Sequence, residues 1–298
     1  FKMNETLKRL ISGVVYITLL LFSILYCTES FILLFGIFLV IATFEFCNLV
    51  KLNKILPITL VSVSYVVISL LSYYKTETDN YISNLREKQI QLGVDIDQLN
   101  LWLLLICLFV FVKCLIFLFD NKEQTVTPLW KYLYLLGYIL LPFIFIVKIS
   151  FGINDYNPKI IIGLFILIWT NDTFAYLVGK SIGKHKLYER ISPKKTIEGF
   201  LGGVAFAVFA GYLISKLYIK PNPSFSDTSI LIWTMIALIV GVFGTIGDLI
   251  ESKFKRIAEV KDSGKIMPGH GGILDRLDSV IFVAPIVYLF YQILSYVS

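Results

Sequence analysis

Nine apolar segments constrain this chain of 298 residues more than any other feature of its sequence. They lie at residues 10–26, 31–50, 55–74, 101–119, 132–147, 160–178, 200–217, 230–250 and 280–297. Most are long enough for a helix to cross about 30 Å of hydrocarbon, and none shows the alternating polarity of barrel strands. Only 16% of the residues are charged, against about a quarter in soluble domains. The sequence therefore predicts an all-α polytopic membrane protein with about nine transmembrane helices.

The chain is predicted to form one membrane domain over residues 1–298, because no internal repeat or low-complexity linker divides it. Residues 1–150 hold the N-terminal spans and a polar stretch at 75–100, which we expect to be a solvated loop with about one helical turn and without chemistry. Residues 151–298 form the half expected to be catalytic. The weakest span is 132–147, which is short and contains a proline, so we expect it to tilt, kink or use its polar flanks.

The distribution of positive charge predicts an orientation. With the N-terminus in the cytoplasm, nineteen of the 27 lysines and arginines fall on the cytoplasmic side, as the positive-inside rule favours. The two most basic loops, within 180–195 and 253–276, then face the cytoplasm together, where nucleotides are. The four cysteines lack the close spacing of zinc ligands, and only two histidines are present, which excludes a histidine-rich metal site. We expect no nucleic-acid partner.

Residues 252–278 form a polar island between two apolar segments. Asp275 and Asp278 are three apart, so on a helix their carboxylates share one face, and a hard cation such as Mg²⁺ would relieve their repulsion. The preceding span ends at Asp248 after glycines at every third position of 241–247. Such a stripe of small residues lets another helix approach closely, which would bring Asp248 to the aspartate pair.

Two features of this island remain open to a structural explanation. Asp275 could instead pair with Arg276 or Lys265, while Asp278 merely begins a helix. The Gly-His-Gly-Gly turn at 269–272 can bend sharply and present N–H groups to phosphate, but a turn between two helices has the same composition. His270 could contact phosphate, donate a proton or be structural.

A second polar island runs from Asn171 to residue 199. Asn171 and Asp172 lie inside an apolar span, where an ionised aspartate costs about 2.5–3.5 kcal/mol, so they are expected to contact a ligand or to join helices. Ser192 is predicted to cap a helix that begins at the following proline. Lys194 and Lys195 beside the free N–H groups of that helix would bind an anion, or else contact lipid headgroups.

Several catalytic motifs are absent or incomplete. The segment from Gly179 to His185 resembles a phosphate-binding P-loop but has three residues between its glycines instead of four, and histidine in place of serine or threonine. The motifs of serine hydrolases and zinc proteases are missing. Glu45 and Lys113 are isolated ionisable residues within spans, and the sequence does not decide between a functional role and simple charge pairing.

The polar residues of the C-terminal half form one long pattern, Ser252-x-x-Lys255-Arg256, Lys261-Asp262 and Pro268-x-His270-Gly271-Gly272-x-x-Asp275-Arg276-x-Asp278. Ser192-Pro-Lys194-Lys195-Thr196-x-Glu198-Gly199 and Asn171-Asp172 extend it. This pattern resembles the signature of the phosphatidate cytidylyltransferases, also called CDP-diacylglycerol synthases. The N-terminal half is similar to that family mainly in its arrangement of spans.

The resemblance implies transfer of the cytidylyl group of CTP to phosphatidic acid, giving CDP-diacylglycerol and pyrophosphate for phospholipid biosynthesis. It implies a bilayer-embedded homodimer that requires Mg²⁺, allows a second, monovalent cation such as K⁺, and lies in the bacterial cytoplasmic membrane with its active site facing the cytoplasm. The metal ligands would be Asp248, Asp275 and Asp278, with Lys255, Arg256 and Arg276 as the other catalytic residues. The substrate-binding residues would be Asn171, Asp172, Ser192, Lys194, Lys195, Thr196, Glu198, Ser252, Lys261, Asp262, His270, Gly271 and Gly272.

Two other functions are compatible with parts of the sequence. A CTP-dependent polyprenol or phytol kinase is similar in its span pattern, but it would transfer phosphate instead of cytidylate. A secondary transporter would use Asp172 and Lys113 as buried coupling groups and would show little dependence on Mg²⁺. Transport, however, gives no reason for the Gly-His-Gly-Gly turn beside paired aspartates.

Overall fold

The computed structural model describes residues 5–84, 96–120, 127–151, 156–219 and 226–297. The α-helices are α1 (Glu5–Tyr26), α2 (Thr28–Val50), α3 (Ile55–Asn84), α4 (Ile96–Phe119), α5 (Pro128–Tyr134), α6 (Leu141–Ser150), α7 (Pro158–Ile182), α8 (Ile197–Leu213), α9 (Ser226–Ile257) and α10 (Leu274–Val297). Within these residues, nine helical stretches are long and apolar enough to cross a membrane. The predicted all-α polytopic fold is confirmed, and the chain is an integral membrane protein.

The polar stretch at 75–100 is helical at both ends, because α3 continues to Asn84 and α4 begins at Ile96. The prediction of a loop with about one helical turn was wrong at the two edges of the stretch, where the helices extend further. No glycine or proline occurs between residues 75 and 84, so nothing in the sequence stops α3 at the end of its apolar part. Residues 85–95 lie outside the described residues.

The fifth span is continuous from Pro128 to Ser150. It consists of α5, the π-helical segment Leu135–Leu140, and α6. Every residue of α6 is buried, and α6 packs against α2, α3, α4, α7 and α10. Pro142 lies inside this continuous span, just after the π-helical segment, and it lacks the N–H that would bond to the preceding turn. The weak segment at 132–147 therefore crosses by using both of its flanks, and neighbouring helices surround it.

Buried apolar side chains from all of these α-helices form one continuous core. The predicted small-residue stripe on α9 is confirmed as a site of close helix approach. A Cβ atom on Gly247 would lie 2.6 Å from the carbonyl oxygen of Asp278 in α10, whereas one on Gly244 would come no closer than 3.5 Å to α10. Gly241 faces α8 instead. Gly247 thus allows the polar ends of α9 and α10 to lie side by side.

A small antiparallel hairpin, β1 (Lys186–Tyr188) and β2 (Ser192–Thr196), joins α7 to α8. The prediction that Ser192 caps a helix was wrong, because Ser192 pairs with Tyr188 in the hairpin. Thr196 is the true N-cap: its hydroxyl accepts a hydrogen bond of 3.1 Å from the N–H of Gly199, and α8 begins at Ile197. The two lysines predicted at a helix start therefore project from a strand.

Candidate active site

Three carboxylates meet where α9 and α10 touch. Asp248 and Glu251 come from α9 and Asp278 comes from α10, and one ligand oxygen of each lies within 4.8 Å of the others. The close approach at Gly247 creates this arrangement, because it brings the backbone of Asp278 against the turn that carries Asp248. Glu251 is fully buried, and its Oε1 atom has no hydrogen-bond partner among the described residues.

This carboxylate cluster, Asp248, Glu251 and Asp278, suits a divalent cation. Carboxylate oxygens are the ligands that Mg²⁺ prefers, and a buried oxygen without a donor is an acceptor that a cation would satisfy. The sequence prediction included two of the three residues and missed Glu251. Glu251 follows Asp248 by three residues on a helix. This spacing could have predicted that Glu251 joins the cluster, because residues three apart share one face.

The two polar islands of the sequence meet at this cluster. The Nζ atom of Lys195, at the end of β2, lies 2.5 Å from Oδ2 of Asp248. The hydroxyl of Ser252 also donates to Asp248, at 3.2 Å. This contact places the segment 171–199 beside the carboxylate cluster, as expected, while the expectation that the two segments form one site stays a prediction.

Asp275 is not one of the three cluster residues, although it is only three residues from Asp278 and interacts with Glu251. Its Oδ1 accepts from Nζ of Lys255 at 2.7 Å, and its Oδ2 accepts from the N–H groups of Ser263 and Gly272 at 2.8 and 2.7 Å. The alternative in which Asp275 is ion-paired thus describes the structure, with Lys255 as the partner. The role of Asp275 as a metal ligand stays a prediction.

Lys255 was predicted to face phosphate, but the structure places it among carboxylates. It is buried and forms ion pairs with both Glu251 and Asp275. The desolvation of a buried ammonium group requires such partners, and two carboxylates supply them. In this structure Lys255 therefore links the carboxylate cluster to Asp275.

The loop between α9 and α10 turns sharply at Gly269 and Gly271, which have φ angles of 79° and 86°. The predicted turn is confirmed, but the N–H groups that follow it are already bonded to the protein. Gly272 donates to Asp275, and the next two residues donate to Glu45 of α2. The phosphate cradle predicted at 269–272 therefore does not extend to these N–H groups, because two carboxylates of the chain occupy them.

His270 faces α1 across this loop. Its Nδ1 atom lies 2.7 Å from the hydroxyl oxygen of Ser12, and that hydroxyl donates to the carbonyl of Pro268. Burial, together with the positive charges of Arg276 and Arg9, lowers the pKa of His270 from its usual value. The imidazole is thus favoured in its neutral form, which suits a structural contact better than a charge interaction with phosphate.

A sequence model of the cytidylyltransferase family matches residues 7–294. The chain belongs to this family. It is 42% identical over 158 residues to the phosphatidate cytidylyltransferase of Bacillus subtilis (strain 168), covering 53% of this chain and 56% of that protein. It is 50% identical over 125 residues to the phosphatidate cytidylyltransferase of Staphylococcus aureus (strain COL), covering 41% of this chain and 45% of that protein. The chain thus spans about half the length of the curated relatives it matches.

Four further basic residues were predicted to take part in the site of this cytidylyltransferase family member. Arg256 donates to the carbonyl oxygens of Ile191 and Val260, so part of its guanidinium group braces the hairpin, although the residue is exposed. The other three, Lys194, Lys261 and Arg276, are also exposed, and so is the predicted Asp262. These exposed cations are the ones placed to meet a solvent-borne phosphate.

Two residues predicted in the second island, Asn171 and Glu198, contact neighbouring elements of the fold. Asn171 is buried against Gly203 of α8, and its amide donates to Asp172 at 3.3 Å, while Asp172 itself is exposed. Glu198 accepts from the N–H groups of Lys184 and His185 at 3.0 and 3.2 Å, which ties the start of the hairpin to α8. Of these, Asp172 is the group open to a ligand.

Proposed function

We propose that this protein transfers the cytidylyl group of CTP to phosphatidic acid, giving CDP-diacylglycerol and pyrophosphate. The observation that carries the proposal is the carboxylate cluster with Lys195 beside it, in a chain of the cytidylyltransferase family. The names of the curated relatives support the same reaction. The product would feed phospholipid biosynthesis.

The chemistry needs little from protein nucleophiles. A phosphate oxygen of phosphatidic acid attacks the α-phosphorus of CTP, and the bond from that phosphorus to the bridging oxygen breaks as pyrophosphate leaves. The lipid phosphate is already anionic near neutral pH, so no base is required to activate it. The demand on the protein is to hold two polyanions in line and to balance the charge that develops on the leaving group.

The residues divide this work by position. Asp248, Glu251 and Asp278 would hold Mg²⁺, which when bound supplies charge neutralisation at the phosphates. Lys195 and the exposed cations Lys194 and Arg276 would orient the remaining phosphate oxygens. The apolar spans provide walls for the acyl chains. A monovalent second cation and a homodimer, which the family resemblance implies, stay predictions.

We further propose that the protein lies in the bacterial cytoplasmic membrane with the carboxylate cluster on the cytoplasmic side. The excess of lysine and arginine in the loops on that side supports this orientation. CTP would then reach the cluster without crossing the bilayer.

The test is to follow label from CTP into lipid. Purified protein in mixed micelles with phosphatidic acid and Mg²⁺ should move α-phosphate label into the lipid and γ-phosphate label into pyrophosphate. Label from the γ-phosphate in a phosphorylated lipid alcohol would instead identify a kinase. Substrate flux across sealed vesicles without any label transfer would identify a transporter.

Matched variants locate the reaction at the carboxylate cluster. Asp278→Asn should remove label transfer while the protein remains folded in detergent. Glu29→Gln, at the far end of α2 and bonded to Tyr73, should leave transfer unchanged. Full activity in Asp278→Asn would refute the assignment of the cluster.

A further inference from the structure

Glu45 of α2 is a buried carboxylate with three hydrogen-bond donors from a distant part of the chain. Its side chain is 1% exposed. Oε1 accepts from the N–H of Ile273 at 3.2 Å, and Oε2 accepts from the N–H of Leu274 at 2.8 Å and from the hydroxyl of Ser263 at 3.2 Å. Both carboxylate oxygens are therefore used, and every donor belongs to the segment that leads into α10.

The position of these donors suits an anion. Leu274 is the first residue of α10, and the first N–H groups of a helix have no partner within the helix. A carboxylate there satisfies these groups and interacts favourably with the helix dipole. Gly264 and Gly272 both lie against the Glu45 carboxylate so closely that neither has room for a Cβ atom. The loop is thus shaped around Glu45.

The contacts continue from Glu45 to the carboxylate cluster. The hydroxyl of Ser263 lies 2.9 Å from Asp275 as well as 3.2 Å from Glu45. Asp275 holds Lys255, and Lys255 pairs with Glu251 of the cluster. A second connection runs through the backbone of α10. Glu45 binds the N–H of Leu274 and so fixes the first turn of the helix, and Asp278 follows one turn later.

We propose that Glu45 is a positioning residue for the active site, which holds the first turn of α10 so that Asp278 meets Asp248 and Glu251. The effect on turnover rests on the function proposed above. Glu45 touches no reacting group, and it acts through the backbone of 273–274 and through Ser263. A residue that only contributed to folding would change stability without changing the Mg²⁺ requirement.

The experiment compares the whole protein with Glu45→Gln, Glu45→Asp and Glu29→Gln in detergent. Glutamine keeps the size but offers one acceptor oxygen, and its NH₂ group would face an N–H donor. Outer contacts to metal ligands typically change metal affinity or activity about 10- to 100-fold. We therefore expect Glu45→Gln to lower kcat and raise the half-saturating Mg²⁺ concentration by about that factor. Aspartate keeps both acceptors on a shorter side chain and should recover part of the loss.

A second readout does not depend on activity. Hydrogen exchange of the peptide 263–278, measured without substrates, should be faster in Glu45→Gln than in the unaltered protein and unchanged in Glu29→Gln. Equal exchange in Glu45→Gln and the unaltered protein would overturn the inference. Faster exchange with an unaltered kcat and Mg²⁺ requirement would also overturn it, because Glu45 would then be only structural. If the unaltered protein transfers no cytidylate, the proposed function fails, and the exchange comparison alone decides whether Glu45 holds this segment.

Discussion

Replacing Gly247 with alanine should separate the two helices that form the carboxylate cluster. The new Cβ atom would lie 2.6 Å from the carbonyl oxygen of Asp278 and 2.7 Å from the Cβ of Phe282, against 3.4 Å or more for ordinary contact. Backbone on both sides cannot rotate away, so α9 and α10 must part by about 0.8 Å, the shortfall in that contact. Overpacking of this kind costs about 1–3 kcal/mol of stability.

The catalytic effect of Gly247→Ala should exceed its effect on stability. A misplacement of about 1 Å in an active site can cost about 100-fold in rate. We expect a loss of label transfer approaching that factor, measured at saturating Mg²⁺ and corrected for the folded fraction. Thermal unfolding in detergent should show a lowered midpoint.

Gly244→Ala is the matched control, one turn earlier on the same helix. A Cβ atom there comes no closer than 3.5 Å to its neighbours, so the change should leave the rate near that of the unaltered protein. The reasoning is refuted if Gly247→Ala keeps the normal rate and midpoint, or if the two variants are equally damaged.

Three further changes separate catalysis, stability and pH dependence. Glu251→Gln should lower transfer about 100-fold or more at equal folded protein, because it removes a buried ligand oxygen; a normal Mg²⁺ titration would contradict this. Lys253→Met should lower the unfolding free energy by about 1–3 kcal/mol but leave kcat intact, because its ammonium donates to carbonyl oxygens at the end of α4, including that of Asp120 at 2.8 Å. His270→Asn should reduce the loss of folding stability that occurs as the pH falls. The lowered pKa of His270 means that, below its usual value of 6.5, the unfolded chain takes up a proton before the folded one, so stability falls as the pH drops. An unchanged difference in melting temperature between about pH 7.5 and about pH 5.5 would contradict that reading.

Features set by local sequence were predictable. The length and composition of each apolar segment determine whether a helix can cross the bilayer, so the spans followed from the sequence alone. The glycine spacing before Asp248 was equally informative, because small residues three apart leave a flat helix face. That the two polar islands would meet could be expected, since polar segments in one membrane protein have few other places to lie, but the contact of Lys195 with Asp248 was not predicted.

Features that depend on distant partners were not predictable. Ser192 and Thr196 are both acceptable helix caps, and the choice depends on the pairing of Ser192 with Tyr188 across a turn. Glu45 looked like an isolated charge because its donors lie more than two hundred residues away. The ion pair of Lys255 with Asp275 was also missed. A run of basic residues before a loop does not show which of their side chains point into the protein.

The polar end of the bundle is held together by charged side chains that contact main-chain atoms. Glu45 accepts from N–H groups at the start of α10, Lys253 donates to carbonyl oxygens at the end of α4, and Arg256 donates to the carbonyl of Ile191. Main-chain atoms are the same whichever amino acid supplies them. The charged partner in each contact must therefore be kept, while the side chain at the receiving position remains free to vary as far as its own packing allows.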